Sequence, residues 1–240
     1  MPNWIKNELV AYNLDSVAET ALRTAFEQDG PFQAICPMPE ILKDTQSPTP
    51  YCLEEIVWEP LPSSAIIHDR FVSHVNRKRE WKRRILEIGV DEVIRRIKEN
   101  KSIDEHQACM AELAVKAIVE TEYANWYDWC VDNWGVKWDA SETMIEEDSL
   151  FVDESLGYPN LIVTFDTPWG PPTGILWKLS VQYPQATFIL RWADMDDYGN
   201  GQGILCAEAG VVTELEIADK KEFLNKLVGP YDDDEDEEEV

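Results

Sequence analysis

The sequence predicts an α+β fold in which an antiparallel sheet carries its helices on one face. Three observations lead to this prediction. Runs of β-type sequence lie near both ends of the chain, residues 66–134 show helical periodicity instead, and the last residues are almost all acidic. With residues 66–134 set aside as a helical insertion, the strands and helices follow the split β-α-β order of a ferredoxin-like domain.

The first half of that domain is predicted over residues 1–42. Residues 3–12 alternate well enough for a strand, and Asp15 or Ser16 can cap the helix that follows. The apolar positions of this helix recur at helical spacing: Val17, Ala21, Leu22, Ala25 and Phe26. After Gly30-Pro31, the stretch "PFQAICPMPEIL" is predicted to form a short strand that Pro37 and Pro39 terminate.

A proline-rich linker is predicted over residues 43–65 and three helices over residues 66–134. Asp104 and Gln107 have the spacing of a capping box for the third helix, which is expected to end near Trp134. Strands are then predicted at residues 161–165, 187–192 and 203–207, with a weak one before them and a short helix near residues 218–227. The predicted organisation is thus a discontinuous core (1–42 and 135–228), a linker (43–65), a helical insertion (66–134) and an acidic disordered tail (229–240).

The stretch "FDTPWGPPTGILWKLS" between a strand and a helix has two interpretations. In the first, Pro168 and Gly170 only turn the chain from strand to helix, and Trp169 and Trp177 pack that helix against the sheet. In the second, the loop displays Asp166 and Trp169 to a ligand, because binding residues are concentrated on loops. The first is favoured, and Asp166 and Trp169 are retained as loop candidates.

Five motifs follow one another along the chain: "MPNWIKNEL", "ICPMPEIL", "NWGVKWDA", "FDTPWGPP" and "RWADMDDYGNGQG". In content and order they resemble the YubB-type phage and plasmid proteins. The resemblance covers both ends and most of the second half of the chain, and it is much weaker across residues 43–125. It implies a ferredoxin-like domain and residence on a mobile element in bacteria. It implies no established activity, so it supplies no catalytic residues.

Residues for metal, cofactor or acid–base chemistry do not form a recognisable pattern. Asp194, Asp196 and Asp197 crowd one glycine-rich turn, but their spacing departs from an EF-hand loop, and an exposed hairpin explains them better. The histidines and the five scattered cysteines lack the spacing of a zinc site. We therefore expect no metal, no cofactor and no catalytic residues, and nothing in the sequence calls for an enzyme.

The N-terminus, the apolar runs and the cysteines also predict the cellular location of the protein. The first four residues lack the regions of a signal peptide, and no apolar run approaches the length of a membrane span. The cysteines are interpreted as reduced thiols. Together with the resemblance, this predicts the cytoplasm of a bacterial host.

The charge is extreme and unevenly spread. The formal net charge is −26, and removal of the eight tail acids leaves −18. Residues 70–101 are net +6, so everything else sums to −32. Within this segment six cations surround one tryptophan on a predicted helix, and these are candidate binding residues: Arg77, Lys78, Arg79, Trp81, Lys82, Arg83 and Arg84. Phosphate contacts and base stacking suit such a row, but so does neutralisation by acids of the same chain or of a partner.

The tail is the second candidate binding segment. Its acids are Asp232, Asp233, Asp234, Glu235, Asp236, Glu237, Glu238 and Glu239. A block of like charge is expected to be disordered and to favour solubility. It can also imitate phosphate spacing or cover the basic helix.

Three functions remain, from different classes of protein. The first is an acidic binding protein that occupies the nucleic-acid-binding surface of a host protein, as a DNA mimic or counter-defence inhibitor. The second is a nucleic-acid-binding protein that uses the basic helix. An enzyme of unrecognised type comes third, and no membrane partner is expected.

Overall fold

A six-stranded antiparallel sheet organises the larger part of the chain. The strands are β1 (Trp4–Tyr12), β2 (Ser141–Ile145), β3 (Leu161–Pro168), β4 (Thr187–Asp194), β5 (Gln202–Glu208) and β6 (Val211–Leu215). Their order across the sheet is β2-β3-β1-β4-β5-β6, and every neighbouring pair is antiparallel. The central strand β1 is buried on both faces over most of its length.

The structure is a computed structural model that describes residues 3–58, 74–151, 156–194 and 201–229, with side chains from 79 onward in the second range. The helices in these ranges are α1 (Ser16–Phe26), α2 (Pro31–Ile35), α3 (Glu40–Lys43), α4 (Tyr51–Trp58), α5 (His74–Ile88), α6 (Val90–Glu99), α7 (Glu105–Thr121), α8 (Trp126–Trp134), α9 (Thr173–Gln182) and α10 (Lys220–Leu227). Among them, none is both long and apolar enough to cross a bilayer.

The chain divides into two units. The sheet unit contains residues 1–37 and 130–240, and the helical unit contains residues 38–129. The predicted boundaries at residues 43, 66 and 134 differ from these positions and stay predictions.

In the sheet unit, aromatic contacts fix α1, α2 and α9 to one face of the sheet. The Phe26 ring of α1 stacks on Phe165 of β3 at 6.1 Å, and Phe32 of α2 meets the same ring edge-on at 5.7 Å. Tyr183, which ends α9, contacts Phe188 of β4 at 6.4 Å. α1 and α9 lie where the sequence predicts helices, whereas α2 occupies residues for which a strand is predicted.

The short helix α10 adds cover to the opposite face. Its Phe223 and Leu224 cluster with Ala193 of β4, and Phe223 contacts the Phe151 ring at 5.1 Å. Asp219 caps the helix by accepting a hydrogen bond from the Glu222 amide. The antiparallel α+β architecture is as predicted, with this helix as an addition on the second face.

The helical unit has a core of its own. Leu53, Ile85, Val93, Ile97 and Val115 are completely buried in one cluster. The predicted capping box of α7 is present, because Asp104 accepts from the Gln107 amide at 2.8 Å and Gln107 accepts in return at 3.1 Å.

The first and last segments of the helical unit are hydrogen-bonded to each other. The Trp126 amide donates to the Thr45 hydroxyl at 2.9 Å. The Asn125 side chain donates to the Thr49 hydroxyl at the same distance. On the sheet unit's side, the Trp134 indole donates to the Cys36 carbonyl at 2.9 Å. In each unit, the segment where the chain leaves is therefore hydrogen-bonded to the segment where it returns.

Three sequence predictions require correction. The short strand predicted in residues 31–42 is instead α2 and α3, because the Asp139 carboxylate caps α2 by accepting from the Phe32 and Gln33 amides. The predicted linker contains α4, whose Leu53 and Val57 are fully buried. The long third helix ends at Thr121, where the next residue adopts the left-handed conformation (φ 70°).

Candidate functional site

The loop after β3 presents Trp169 at the end of the sheet where β1 begins. Trp4 pairs with Pro168, and the Trp169 amide donates to the Asn3 carbonyl at 2.9 Å. The Thr167 hydroxyl donates to the Gly170 carbonyl at 2.8 Å, which fastens the turn. Trp169 itself adopts φ 63°, a left-handed conformation that costs a residue with a Cβ about 1–2 kcal/mol. The surrounding bonds hold the side chain outward in spite of this cost.

A second tryptophan and a lysine complete a surface group that we call the tryptophan cluster, Lys137, Trp138 and Trp169. The two indole rings lie 6.1 Å apart and are tilted by 31°. The Lys137 ammonium lies 4.3 Å from the Trp138 ring and 5.2 Å from the Trp169 ring, within cation–π range. Trp138 is 40% exposed and Trp169 is 54% exposed, so much of both rings faces solvent.

This arrangement corrects the favoured interpretation of the loop. Trp169 packs on Trp138 and not between helix and sheet, and Trp177 is 47% exposed with its indole donating to the Gly210 carbonyl. The buried face of α9 consists of smaller side chains, Ile175, Leu176, Leu179 and Ser180. The loop does turn strand into helix, but it also displays a tryptophan.

The acidic loop candidates lie at the same end of the sheet, on either side of β1. Asp166 faces Lys6 across the β1–β3 pair and forms an ion pair with it at 3.2 Å. Asp194 lies opposite Ile5 across the β1–β4 pair, and the Asn3 side chain donates to it at 3.4 Å. Asp196 and Asp197 lie outside the described residues. Within the described ranges no cluster of histidine, cysteine and acidic side chains is suited to hold a metal.

The basic segment is extensively paired with carboxylates. Arg83 bonds to both Glu80 and Glu87, and Lys82 lies 3.8 Å from Glu122. The hydrogen bond from Arg83 lowers the pKa of the Glu80 carboxyl, and the same contact raises the pKa of Arg83.

The pairing continues along α6. Arg95 bonds to Glu92 and Glu99, while Arg96 also bonds to Glu92. Hydrogen bonds from Arg95 and then Arg96 lower the pKa of Glu92 to about 2. Lys98 reaches Glu112 at 2.9 Å. Carboxylates of the same chain therefore neutralise many of the cations in the basic segment, residues 70–101.

Trp81 is partly buried against the core of the helical unit and is not a free stacking platform. Its ring meets Trp58 edge-on at 6.2 Å and packs against the buried cluster of the helical unit. Arg84 lies over the same Trp58 ring at 5.6 Å and pairs with Glu87 at 3.6 Å. Arg79 is exposed. The side chains of Arg77 and Lys78 and the acidic residues 232–239 lie outside what the structure describes.

Sequence reasoning missed a buried ion pair at the centre of the sheet. Arg191 of β4 donates to Glu8 of β1 at 2.8 Å, with side-chain exposures of 6% and 0%. The other oxygen of Glu8 accepts from the Leu150 amide at 2.6 Å and the Ser149 hydroxyl at 2.9 Å. The only sequence signal is a charged residue inside each of two strong strand patterns.

Asp139 and Cys130 illustrate how burial shifts titration in the sheet unit. Burial raises the pKa of the Asp139 carboxyl, although hydrogen bonds from the Phe32, Gln33 and Ala140 amides act in the opposite direction. Burial, with repulsion from Asp139, raises the pKa of the Cys130 thiol to about 12. Three amides occupy the Asp139 carboxylate, which indicates a structural role.

The comparison with protein-family models agrees with this fold. Residues 133–239 match a family model described as a ferredoxin-like domain in Api92-like protein. The ferredoxin-like fold class that the sequence predicts is thereby confirmed. No curated protein matches the chain.

Among solved structures, the crystal structure of a protein Api92 from Yersinia pseudotuberculosis is similar at 12% sequence identity. The alignment covers 91% of this chain and 100% of that chain, with a TM-score of 0.37. The resemblance to YubB-type proteins remains a prediction beside the Api92-like match.

Proposed function

We propose that this protein is an acidic binding protein that occupies a cationic, nucleic-acid-binding surface of a partner protein. The observation that supports this proposal most directly is the charge of the sheet unit. That unit has 30 acidic and 8 basic residues, a net charge of −22, whereas the helical unit carries only −4. A field of this sign steers the protein toward cationic grooves and opposes binding to nucleic acid.

The ion pairs of the helical unit add to this support. Arg83, Arg95 and Arg96 are engaged by carboxylates of the same helices. Phosphate binding at these positions would require the bound carboxylates to be displaced. The acidic function is therefore preferred to the nucleic-acid-binding function.

The biological setting of the proposal comes from the sequence resemblance. We place the protein in the cytoplasm of a bacterial host, encoded by a phage or plasmid, with a defence nuclease or transcription factor as the partner. Imitation of a polyanion explains why such a partner would be held without any catalytic step.

The proposal is tested by displacement. The full chain is immobilised at low salt and incubated with lysate of a bacterial host, and each captured nucleic-acid-binding protein is then purified. The protein should displace a labelled oligonucleotide from that partner, and the displacement should weaken steeply as salt is raised.

A chain that lacks residues 231–240 serves as the control for the tail. If displacement survives this deletion, the folded body is responsible. If no captured protein loses its oligonucleotide at any salt concentration, the proposal is wrong.

A further inference from the structure

The strand β6 forms one edge of the sheet and is open along its whole length. All five of its residues are exposed, and no strand lies beyond it in the ranges that the structure describes. Alternate residues of an edge strand direct their backbone N–H and C=O groups away from the sheet. These groups can pair with another extended chain.

The two edges of the sheet differ in regularity. β6 pairs with β5 in unbroken register from Glu208–Val211 to Ile204–Leu215. At the other edge, the register of β2 with β3 shifts between Ser141 and Met144. Irregular edges obstruct the addition of a further strand, whereas a regular one permits it.

Exposed apolar side chains accompany the open edge. Val211, Val212 and Leu215 are 65%, 36% and 40% exposed. On the face that carries α9, two more apolar side chains adjoin the start of β6, Trp177 (47% exposed) and Val181 (48% exposed). Trp177 donates to the Gly210 carbonyl at 3.1 Å, and Val181 lies against the same glycine. The edge therefore offers apolar surface beside its free backbone groups.

The charge at this edge selects the occupant. Glu208, Glu214 and Glu216 are exposed at or beside β6. They belong to a unit with a net charge of −22. A second copy of the chain would bring the same charges against them, so complementarity favours a basic occupant.

We propose that β6 binds an extended, lysine- or arginine-bearing segment of the partner protein as a seventh strand. The added backbone would pair with β6, its apolar side chains would cover Val212 and Trp177, and its cations would face the glutamates. This inference rests on the proposed function and names the part of the sheet unit that contacts the partner.

Two fluorescent ten-residue peptides test the inference. One alternates lysine with valine and the other alternates lysine with glycine, so that charge is equal and strand formation differs. Binding to the full chain is measured by fluorescence anisotropy at low salt. We expect the lysine–valine peptide to bind at least tenfold more tightly.

Two substitutions of equal charge change locate the site. Val212→Lys should weaken binding of the lysine–valine peptide at least tenfold, whereas Met144→Lys on the opposite edge should change it less than twofold. Thr213→Pro, which obstructs backbone pairing on β6, should act like Val212→Lys. Hydrogen exchange of the β6 amides should slow on addition of the lysine–valine peptide.

Each other outcome has a distinct meaning. Equal binding of both peptides, with the two lysine variants equally affected, overturns the β6 inference and leaves the proposed function standing, because charge alone then suffices. If neither peptide binds, the β6 inference is overturned, and the displacement assay still decides the proposed function separately. A dimer of the free protein that Val212→Lys converts to monomer assigns the edge to a second copy and overturns the inference.

Discussion

Arg191 and Glu8 form an ion pair between the two central strands of the sheet, with 2.8 Å between Nη1 and Oε2. Both side chains are nearly inaccessible to solvent, and the Arg191 guanidinium also lies 4.9 Å from the centre of the Phe151 ring. Loss of one member of such a pair leaves the other charge buried and uncompensated. The pair therefore fixes the face of the sheet that the 149–151 segment and α10 cover.

Replacing Arg191 tests this role. Arg191→Met should lower the free energy of unfolding by about 3–5 kcal/mol, measured by urea denaturation, because the Glu8 carboxylate remains buried without its cation. The double variant Glu8→Gln/Arg191→Met should recover part of the loss, since glutamine is neutral and can still accept from the Leu150 amide. A single-variant loss under about 1 kcal/mol would show that water reaches the pair.

Trp169 provides a test of display against packing. Trp169→Gly removes the left-handed cost of about 1–2 kcal/mol and also a ring contact with Trp138 of about 1 kcal/mol, and these two effects oppose each other. The free energy of unfolding should therefore change by no more than about 1 kcal/mol. A loss greater than about 3 kcal/mol would restore the packing role that the sequence suggested.

Asp139 should give a pH-dependent contribution to stability. Its folded pKa is raised above the ordinary value of 3.8, so the folded state binds its proton more tightly. The contribution is fully present below that ordinary value and is lost as pH rises through the folded pKa.

The difference in unfolding free energy between wild type and Asp139→Asn should therefore shift against the wild type as pH rises from 3.8 toward the folded pKa. Urea titrations at several pH values measure this difference, and the comparison cancels the other carboxylates. A difference that moves in the opposite direction would show that the three amide hydrogen bonds outweigh burial.

Thiol reactivity should follow exposure. Cys109 is exposed, whereas Cys36, Cys52 and Cys130 are buried, and burial raises the pKa of Cys130 to about 12. At neutral pH a disulfide reagent should modify one thiol quickly, and Cys109→Ser should abolish that phase. Fast labelling of Cys130, detected by peptide mass spectrometry, would contradict the burial of that thiol.

Ion pairing in the helical unit should suppress nucleic-acid binding. We expect the wild type not to shift a labelled oligonucleotide at about 50 mM salt, where phosphate contacts are strong. Four substitutions that release the paired arginines should create salt-sensitive binding: Glu80→Gln, Glu87→Gln, Glu92→Gln and Glu99→Gln.

A control with the same change in net charge separates release of these arginines from general neutralisation. It substitutes exposed glutamates of the sheet unit: Glu27→Gln, Glu208→Gln, Glu214→Gln and Glu216→Gln. A clear shift by the unmodified protein, lost on charge reversal of Arg79, Lys82 and Arg83, would instead support the nucleic-acid-binding function.

Local patterns were sufficient to predict most of the sheet. β1, β3, β4 and β5 all coincide with strong apolar runs, and the Asp15 cap and the Asp104 capping box appear where their spacing predicts them. The strand prediction for residues 31–42 was wrong because Asp139, which is distant in sequence, caps α2. A short apolar run between prolines does not reveal such a partner.

The candidate site depended more on tertiary contacts. The sequence contains 47 acidic residues, and the position of Glu8 inside a strand pattern does not reveal its partner Arg191, which the β1–β4 register places opposite it. Trp169 was selected as a candidate because of its position in a loop. Its neighbours Lys137 and Trp138, which follow α8, were not selected. The excess of cations in residues 70–101 was visible in the sequence. Whether these arginines pair with neighbouring glutamates depends on side-chain geometry, which the sequence does not give.

The hydrogen bonds from Trp126 to Thr45 and from Trp134 to Cys36 hold together the places where the chain passes between the two units. Because the ends of the helical unit are hydrogen-bonded to each other, we expect that this unit can be deleted or replaced without changing the order of the strands in the sheet unit. A short flexible bridge from Pro37 to Cys130 should leave the strands in their present order.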